Sequence, residues 1–427
     1  MSVDIVDHAD LLGEELNQDP YPYFAQLRRT QPVAWNSRHR AWLITRHEDV
    51  HALLRDARLS SDTMTPYFTR RLSAAQQQEM AATFGLLNEW MVFRDPPEHT
   101  RLRKVVMGTF RARRVEEMRT YSTEIARQTM RELCPPDDRG AGRVVDLQND
   151  FAENLPATTI LEMLGIPVAD RKQFAGWVDE MGTLINGVVS DPDRSERANV
   201  AVTAMVGYLR DLIASGVPQQ QDNLLAELLR AAEDGERLTE SEVIATSVLL
   251  LDAGFKNTVR LISNALFLLL RHPDQFARLR AGEISVADVV EETLRFEGPG
   301  KLLVRFARED IVLHGVTIPA GQRVFLVNAS ANRDGEVFAD ADEFRPDPQR
   351  PRNLAFGHGL HMCLGASLAR MQATVALTEA ITVLGPAARL VAEPEWQPAL
   401  LSRNFSELRV AVDPRDPVAA TSEGVAR

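Results

Sequence analysis

Apolar positions recur at helical spacing along most of the chain, and strand-like runs form a minority. Pro20 to Arg29 reads as a first helix, followed by short strand candidates at Val33–Trp35 and Trp42–Ile44. Thr45 and Glu48 have capping-box spacing for a helix reaching Arg55. From Ser60 to Arg94 the chain is polar, and Met64, Tyr67, Phe84, Leu86, Leu87, Trp90 and Met91 share no period. That stretch reads as a packed, irregular loop. Asp95-Pro96-Pro97-Glu98 then has the parts of a helix start: an acceptor, prolines for the first turn, and an acid near the positive end. Val115–Leu133 and Asp150–Leu164 are amphipathic helices, the second stopped by Gly165 with Pro167 beyond. Val168–Val189 and Ser195–Ser215 read as two more, joined through Asp191-Pro192-Asp193.

The longest periodic run begins at the capping box Thr239/Glu242 and continues to Leu270, where His272-Pro273 stops it. About thirty residues at ~1.5 Å each give ~45 Å, enough to cross a whole domain. A helix buried on all sides should be apolar all round, yet the centre reads Asp252-Ala253-Gly254-Phe255-Lys256-Asn257-Thr258. Glycine there costs roughly 1 kcal/mol against alanine, and Lys256 and Asn257 are costly to bury unpaired. Local conflicts of this kind mark functional sites. Beyond it, Glu292 and Arg295 stand at i and i+3 near the end of another helix, before Gly298-Pro299-Gly300. By spacing alone they are an exposed pair worth ~0.2–0.5 kcal/mol. Lys301–Arg305 reads as a strand, and Ile311–Leu313, Val316–Ile318 and Val324–Val327 as a hairpin-like run.

Composition narrows the function classes. A 427-residue chain would usually suggest two or three domains; with 44% hydrophobic residues it can bury a large core, and no linker, repeat or low-complexity stretch divides it. The net charge of −12 argues against nucleic acid and anionic membrane as partners. The N-terminus MSVDIVDHADLLGEELNQDP is acidic without an apolar core, so neither signal peptide nor anchor is expected; residues 1–19 and 414–427 read as flexible termini. Two cysteines far apart form no disulfide framework, which points to a reducing, cytoplasmic location. Cys134, before Pro135-Pro136, reads as structural.

Cys363 is different. It lies in Ala355–Arg370, AFGHGLHMCLGASLAR, between a glycine-containing loop and a helical run from Leu364 to Ala373. Free amides and the positive helix end at such a junction favour a thiolate. The residue is then a nucleophile, a redox thiol or a metal ligand, the alternative being a small buried hydrophobe. The glycines at 357, 359 and 365 allow close backbone approach or positive φ.

Phe356-Gly357-x-Gly359-x-His361-x-Cys363-x-Gly365 resembles the haem-binding loop of the cytochrome P-450 family. The resemblance continues in the family's order from about residue 20 to about 413, through DPPEHTRLR at 95–103, Ala253-Gly254, Glu292-x-x-Arg295, and a meander with Asn332-Arg333-Asp334 and Phe344-Arg345-Pro346-Asp347-Pro348. It implies a mainly α fold with small β-sheets, a single triangular domain holding one haem b between a long distal helix and a proximal Cys363 thiolate. Phe356, Gly365 and Ala253 would then touch the haem, and His99, Arg103, Arg305 and His361 would bind its propionates. Glu292 and Arg295 would belong to a buried network behind the haem loop. The polar stretch 60–94 and the helices at 168–215 would roof the pocket. Substrate contacts would come from Met64, Leu86, Leu87, Met181, Leu184, Ile185, Leu250, Leu302 and Leu303, with Phe405 on a loop tip entering it.

The chain departs from the family at the distal helix. After Ala-Gly-x the usual residues are an acid and then an alcohol, which deliver protons during dioxygen activation; here Lys256 and Asn257 stand there, with Thr258 next. Gly335 also replaces the meander's usual proline. The catalytic set is therefore Gly254, Lys256, Asn257 and Thr258, with protons passing through Asn257, Thr258, water or substrate. The resemblance implies an enzyme using O2 to oxidise a small or medium organic molecule, as a secondary-metabolite tailoring step, by hydroxylation or by oxidative C–C or C–N coupling. Ferredoxin and ferredoxin reductase would supply electrons, ferredoxin docking near Arg101, Lys104, Arg350 and Arg352. A peroxide-using haem enzyme and a non-catalytic haem binder or sensor are the alternatives.

Overall fold

The structure is a computed structural model and describes residues 8–109, 112–135, 142–185, 193–218, 221–233 and 238–412. The end of the expected Val168–Val189 helix, the Asp191-Pro192 joint and residues 414–427 lie outside the described residues.

The long helix forms as its pattern dictates, over Glu240–Arg271, 32 residues. Its first turn is capped reciprocally: Glu242 N–H donates to the Thr239 hydroxyl at 3.1 Å, and Thr239 N–H donates to the Glu242 carboxylate at 2.8 Å. Val243 to Leu251 and Leu261 to Leu269 are buried without a break. The helices Asn154–Leu164, Arg171–Ile185, Arg194–Ala214, Leu224–Glu233, Val286–Phe296 and Ala366–Val383 pack on it, and their apolar faces merge into one large cluster. Burying each Leu, Ile or Val there contributes about 1.5–3 kcal/mol, so the polar middle of the helix is held in place by its apolar ends.

Beside this helical body lies a five-stranded sheet. Its order is Val33–Asn36, Ala41–Ile44, Arg323–Leu326, Leu303–Ala307, Leu59–Ser60, antiparallel except between Ala41–Ile44 and Arg323–Leu326. Two smaller apolar clusters pack on it. Arg143–Asp146, Arg409–Val412 and Arg389–Leu390 make a three-stranded sheet. The mainly helical architecture with small sheets agrees with the sequence reading. No helix among the described residues is long and apolar enough to cross a membrane.

Several local expectations are corrected. Thr45 does not cap the next helix; it is buried and its hydroxyl donates to Pro32 O at 3.2 Å. The helix is His47–Leu53, and His47 N–H donates instead to Asp334 Oδ2 at 2.9 Å, from a residue 287 positions away. The stretch from Ser60 to Arg94 is not a loop: it holds the helices Met64–Arg71, Ala74–Glu79 and Ala81–Asn88. Each is only about two turns long, and Ala74–Glu79 buries no residue, so no shared period shows in sequence. The Asp150–Leu164 helix is Asn154–Leu164, preceded by a π-helical turn at Leu147–Ala152; Gly165 ends it at φ 70° as expected. Ile311–Leu313 and Val316–Ile318 pair about His314-Gly315, both at positive φ. Arg323–Leu326 joins the large sheet instead of this hairpin. Within the N-terminal stretch, Glu14–Gln18 is helical, Leu11 is buried, and the Asn17 amide donates to Trp396 O at 2.5 Å, so this part is packed and not free.

Glu292 and Arg295 are not an exposed pair; both are 2% exposed. Arg295 Nε lies 2.8 Å from Glu292 Oε2, and its other nitrogens donate to the carbonyls of Asn332, Ala341 and Glu343. Glu292 also accepts from Arg345 N–H at 2.8 Å and faces Arg350 Nε at 3.4 Å. The guanidinium fork thus ties the helix Val286–Phe296 to the irregular segment that leads into the cysteine loop. Breaking such a buried pair by removing one partner costs about 3–5 kcal/mol. Arg295→Met is expected to lower stability by that amount, read as a fall in the urea midpoint of the haem-loaded protein. An unchanged midpoint would contradict the network's structural role.

Candidate active site

The cysteine loop is built by short-range bonds. Gly357 N–H donates to Leu354 O at 2.9 Å and Cys363 N–H donates to Phe356 O at 2.9 Å, closing a tight loop. Gly357 and Gly359 sit at φ 68° and 75°, where a side chain is strained. A Cβ on Gly359 would also stand 3.0 Å from the Leu54 carbonyl. The helix Ala366–Val383 starts directly behind the loop, with Gly365 as its N-cap. Burial pushes the Cys363 thiol pKa up, while a hydrogen bond from Gly365 N–H and the nearby Arg103 and Arg370 guanidinia oppose this. Arg370 is itself fixed, stacked 4.5 Å over the Phe356 ring and paired with Glu291.

Cys363 opens on a cavity of about 1560 Å³. Ala253, Gly254, Asn257 and Thr258 of the long helix form another part of its wall. His99, Arg103, Arg305 and His361 line it as well. The helix Glu98–Thr109 carries His99 and Arg103 on one face, and Arg103 Nη2 donates to Met362 O at 2.7 Å, linking that helix to the loop. The His99 and His361 rings pack at a tilt of 39° with centroids 4.0 Å apart. His99 Nδ1 is buried without a hydrogen-bond partner. Burial and neighbouring cations push His361 down to about 3; burial, opposed by Asp95, pushes Arg305 down to about 10; burial and Arg103 also lower His99. Asp95 is the carboxylate near this group, and it is already held by Ser60, Ser61 and Arg308. Four converging donors with an orphaned ring nitrogen lack an anion. A haem fits that need: its two propionates would meet His99, Arg103, Arg305 and His361, with the Cys363 sulfur available to its iron.

On the distal side the unusual pair separates. Lys256 does not line the cavity; its ammonium lies 2.8 Å from Glu153 Oε1 and 2.7 Å from Asp179 Oδ1, and 4.4 Å over the Phe255 ring. Asn257 faces the cavity, its Oδ1 accepting from Arg260 Nη1 at 3.0 Å. The Thr258 hydroxyl donates to Gly254 O at 3.1 Å. A Cβ on Gly254 would meet Ile160 Cδ1 at 3.2 Å, so glycine lets the helix Asn154–Leu164 pack close.

The family model for cytochrome P-450 matches residues 33–382. The chain belongs to the cytochrome P-450 family. It is 38% identical over 412 residues to cytochrome P-450 107B1 of Saccharopolyspora erythraea, covering 94% of this chain and 97% of that one. It is 39% identical over 372 residues to the cytochrome P-450 monooxygenase PikC of Streptomyces venezuelae, covering 86% and 84%. The crystal structure of epothilone D-bound cytochrome P-450epoK superposes with a TM-score of 0.84 at 28% identity, covering 95% of this chain and 99% of that one. As a member of the family it is a haem-thiolate monooxygenase.

In this cytochrome P-450 most expected pocket residues meet. Met64, Leu87, Leu184, Ile185, Leu250, Leu302 and Leu303 line the cavity. Leu86, Met181 and Phe405 do not: Leu86 and Met181 are turned into the core, and Phe405 packs between Phe267 and Trp396 at 5.9 and 5.1 Å. Leu400 and Leu401, a few residues earlier, reach the cavity instead. Asp252 and Ile160 also line it and were not expected. A charge inside an apolar helix run was the signal for Asp252; nothing local marks Ile160. Of the basic residues expected to attract ferredoxin, Arg101 is paired with Glu242, and the Arg350 side chain is 10% exposed and bound into the Glu292 network. Lys104 and Arg352 are exposed.

Arg103→Ala and Arg305→Ala are each expected to lower haem occupancy several-fold, measured as the ratio of haem to protein absorbance after purification. Unchanged occupancy in both variants would remove these residues from haem binding.

Proposed function

We propose that this cytochrome P-450 binds haem b through the Cys363 thiolate and oxidises a small or medium organic molecule as a tailoring step of secondary metabolism. The observation that carries this reading is the shared cavity. It brings Cys363, the Ala253-Gly254 pair and the donors His99, Arg103, Arg305 and His361 together around a space whose wall is mostly apolar. Relatives that include PikC and the epothilone D-bound enzyme support the substrate class. Two free cysteines fit a cytoplasmic location.

Haem, when bound, supplies dioxygen activation, and a thiolate ligand favours O–O cleavage. The protein's own residues set the conditions. Gly365 N–H and the Arg103 and Arg370 charges favour the thiolate against the burial that raises the thiol pKa, and bound iron would keep the sulfur deprotonated. Gly254 and Ala253 present little bulk on the distal side. Lys256 takes no part in proton delivery, because its ammonium is held between Glu153 and Asp179. Asn257 holds water through its amide N–H, since its carbonyl already accepts from Arg260. Thr258 donates to Gly254 O and keeps only acceptor capacity for that water. Protons therefore arrive by ordered water or by a polar group of the substrate.

Electrons come from a ferredoxin and its reductase. Met107, Leu360 and Met362 are exposed beside Lys104, on the helix and loop that Arg103 joins. An apolar patch with cations at its edge suits a small acidic partner.

The test is turnover of a panel of candidate substrates with NAD(P)H, reductase and ferredoxin, in parallel with peroxide alone, products identified by mass. Product carrying one added oxygen, or lacking two hydrogens, is expected with the reductase system. Asn257→Ala is expected to reduce coupling of NAD(P)H use to product several-fold and to raise peroxide release, with haem content unchanged. Product with peroxide alone and none with the reductase system would favour the peroxide-using alternative. An Asn257→Ala variant coupled like the native protein would remove Asn257 from the proton path.

A further inference from the structure

Asp252 stands on the cavity wall one helical turn before Lys256, and its carboxylate makes no hydrogen bond or ion pair within the described residues. Its surroundings in the cavity are apolar: Leu249, Leu250, Ile160 and Leu184 line the same space. An ionised carboxylate against such walls is unfavourable unless a donor or cation meets it. The charged groups that face it are Arg260 and Lys256 from its own helix and Asp179 from the helix Arg171–Ile185. Neither cation bonds Asp252 directly, although both attract it. Lys256 is shared by Glu153 and Asp179, and Arg260 donates to Asn257. Glu153, Asp179 and Asp252 therefore face Lys256 and Arg260 as three carboxylates against two cations. The one without a bonded partner is the one that faces the cavity. Burial pushes Asp252 up to about 6, while Arg260 and Lys256 pull it back, so it is mostly ionised at neutral pH. The other carboxylate on the cavity wall, Asp10, is already paired with Arg38 and His39, which leaves Asp252 as the one a cation would meet.

We propose that Asp252 selects substrates that carry a basic amine, pairing with the ammonium while the apolar body of the molecule fills the rest of the cavity. This rests on the reading of the cavity as the substrate site and names the substrate class it takes.

Two probes of matched size separate charge from apolar burial: decyltrimethylammonium, whose quaternary nitrogen cannot coordinate iron, and neutral N,N-dimethyldecanamide. Their binding to the haem-loaded protein is measured by isothermal titration calorimetry, with Asp252→Asn alongside. The cation is expected to bind about ten-fold or more tightly than the amide, the lower end of what a close charge pair contributes. Asp252→Asn should remove that preference and leave amide affinity and the CO-bound ferrous spectrum unchanged. Equal affinity for the two probes in the native protein, or a preference that survives Asp252→Asn, overturns this proposal alone. Failure of both probes to bind the native protein overturns the substrate reading of the cavity and this proposal with it.

Discussion

A cysteine sulfur can carry charge inside an apolar fold only where the backbone and its neighbours compensate for lost water. At Cys363 burial raises the thiol pKa, and the Gly365 N–H, Arg103 and Arg370 oppose it. Each compensating group depends on something farther away. Gly365 is placed by the start of the helix Ala366–Val383. Arg370 is fixed by Glu291 and the Phe356 ring, and Arg103 by the Met362 carbonyl. The segment before the loop is tied down by Arg295, whose guanidinium reaches three of its carbonyls. Much of the chain's buried polarity serves the geometry of a few residues.

The two sides of the cavity solve opposite electrostatic problems. Near Cys363 a group of cationic donors lines the cavity without an anion, a need that haem propionates would satisfy. Near the middle of the long helix an excess of carboxylates surrounds two cations. Lys256 stands where the family's acid would be, and its ammonium joins the long helix to Glu153 and Asp179. The polarity facing the cavity is left to Asp252 and Asn257, both on the long helix and both beside apolar walls.

What the sequence disclosed depended on how local the physics was. The cysteine loop, the Thr239/Glu242 capping box and the Gly165 stop are set by residues within a few positions of one another, and each was legible. Glu292 and Arg295 were visible as a pair, but their burial depends on carbonyls some forty to fifty positions on. Thr45 looked like a cap because its spacing was right; the true acceptor, Asp334, comes from the far side of the chain. The helices between 64 and 88 were missed because each is only about two turns long and Ala74–Glu79 buries no residue. Phe405 and Arg350 have residue types suited to a pocket and a docking surface, and tertiary packing drew both inward. Asp252 was plain in the sequence as a charge among leucines, but its lack of a bonded partner emerges only once Lys256 and Arg260 are seen to bond other residues.

The central claim is that the Cys363 thiolate is the axial ligand of the haem iron. The CO-bound ferrous absorption spectrum tests it most directly, recorded for the native protein, Cys134→Ser and Cys363→His. The native protein and Cys134→Ser should show the red-shifted band of thiolate-ligated haem, and Cys363→His should lose it while retaining bound haem. A red-shifted band that persists in Cys363→His would contradict the account.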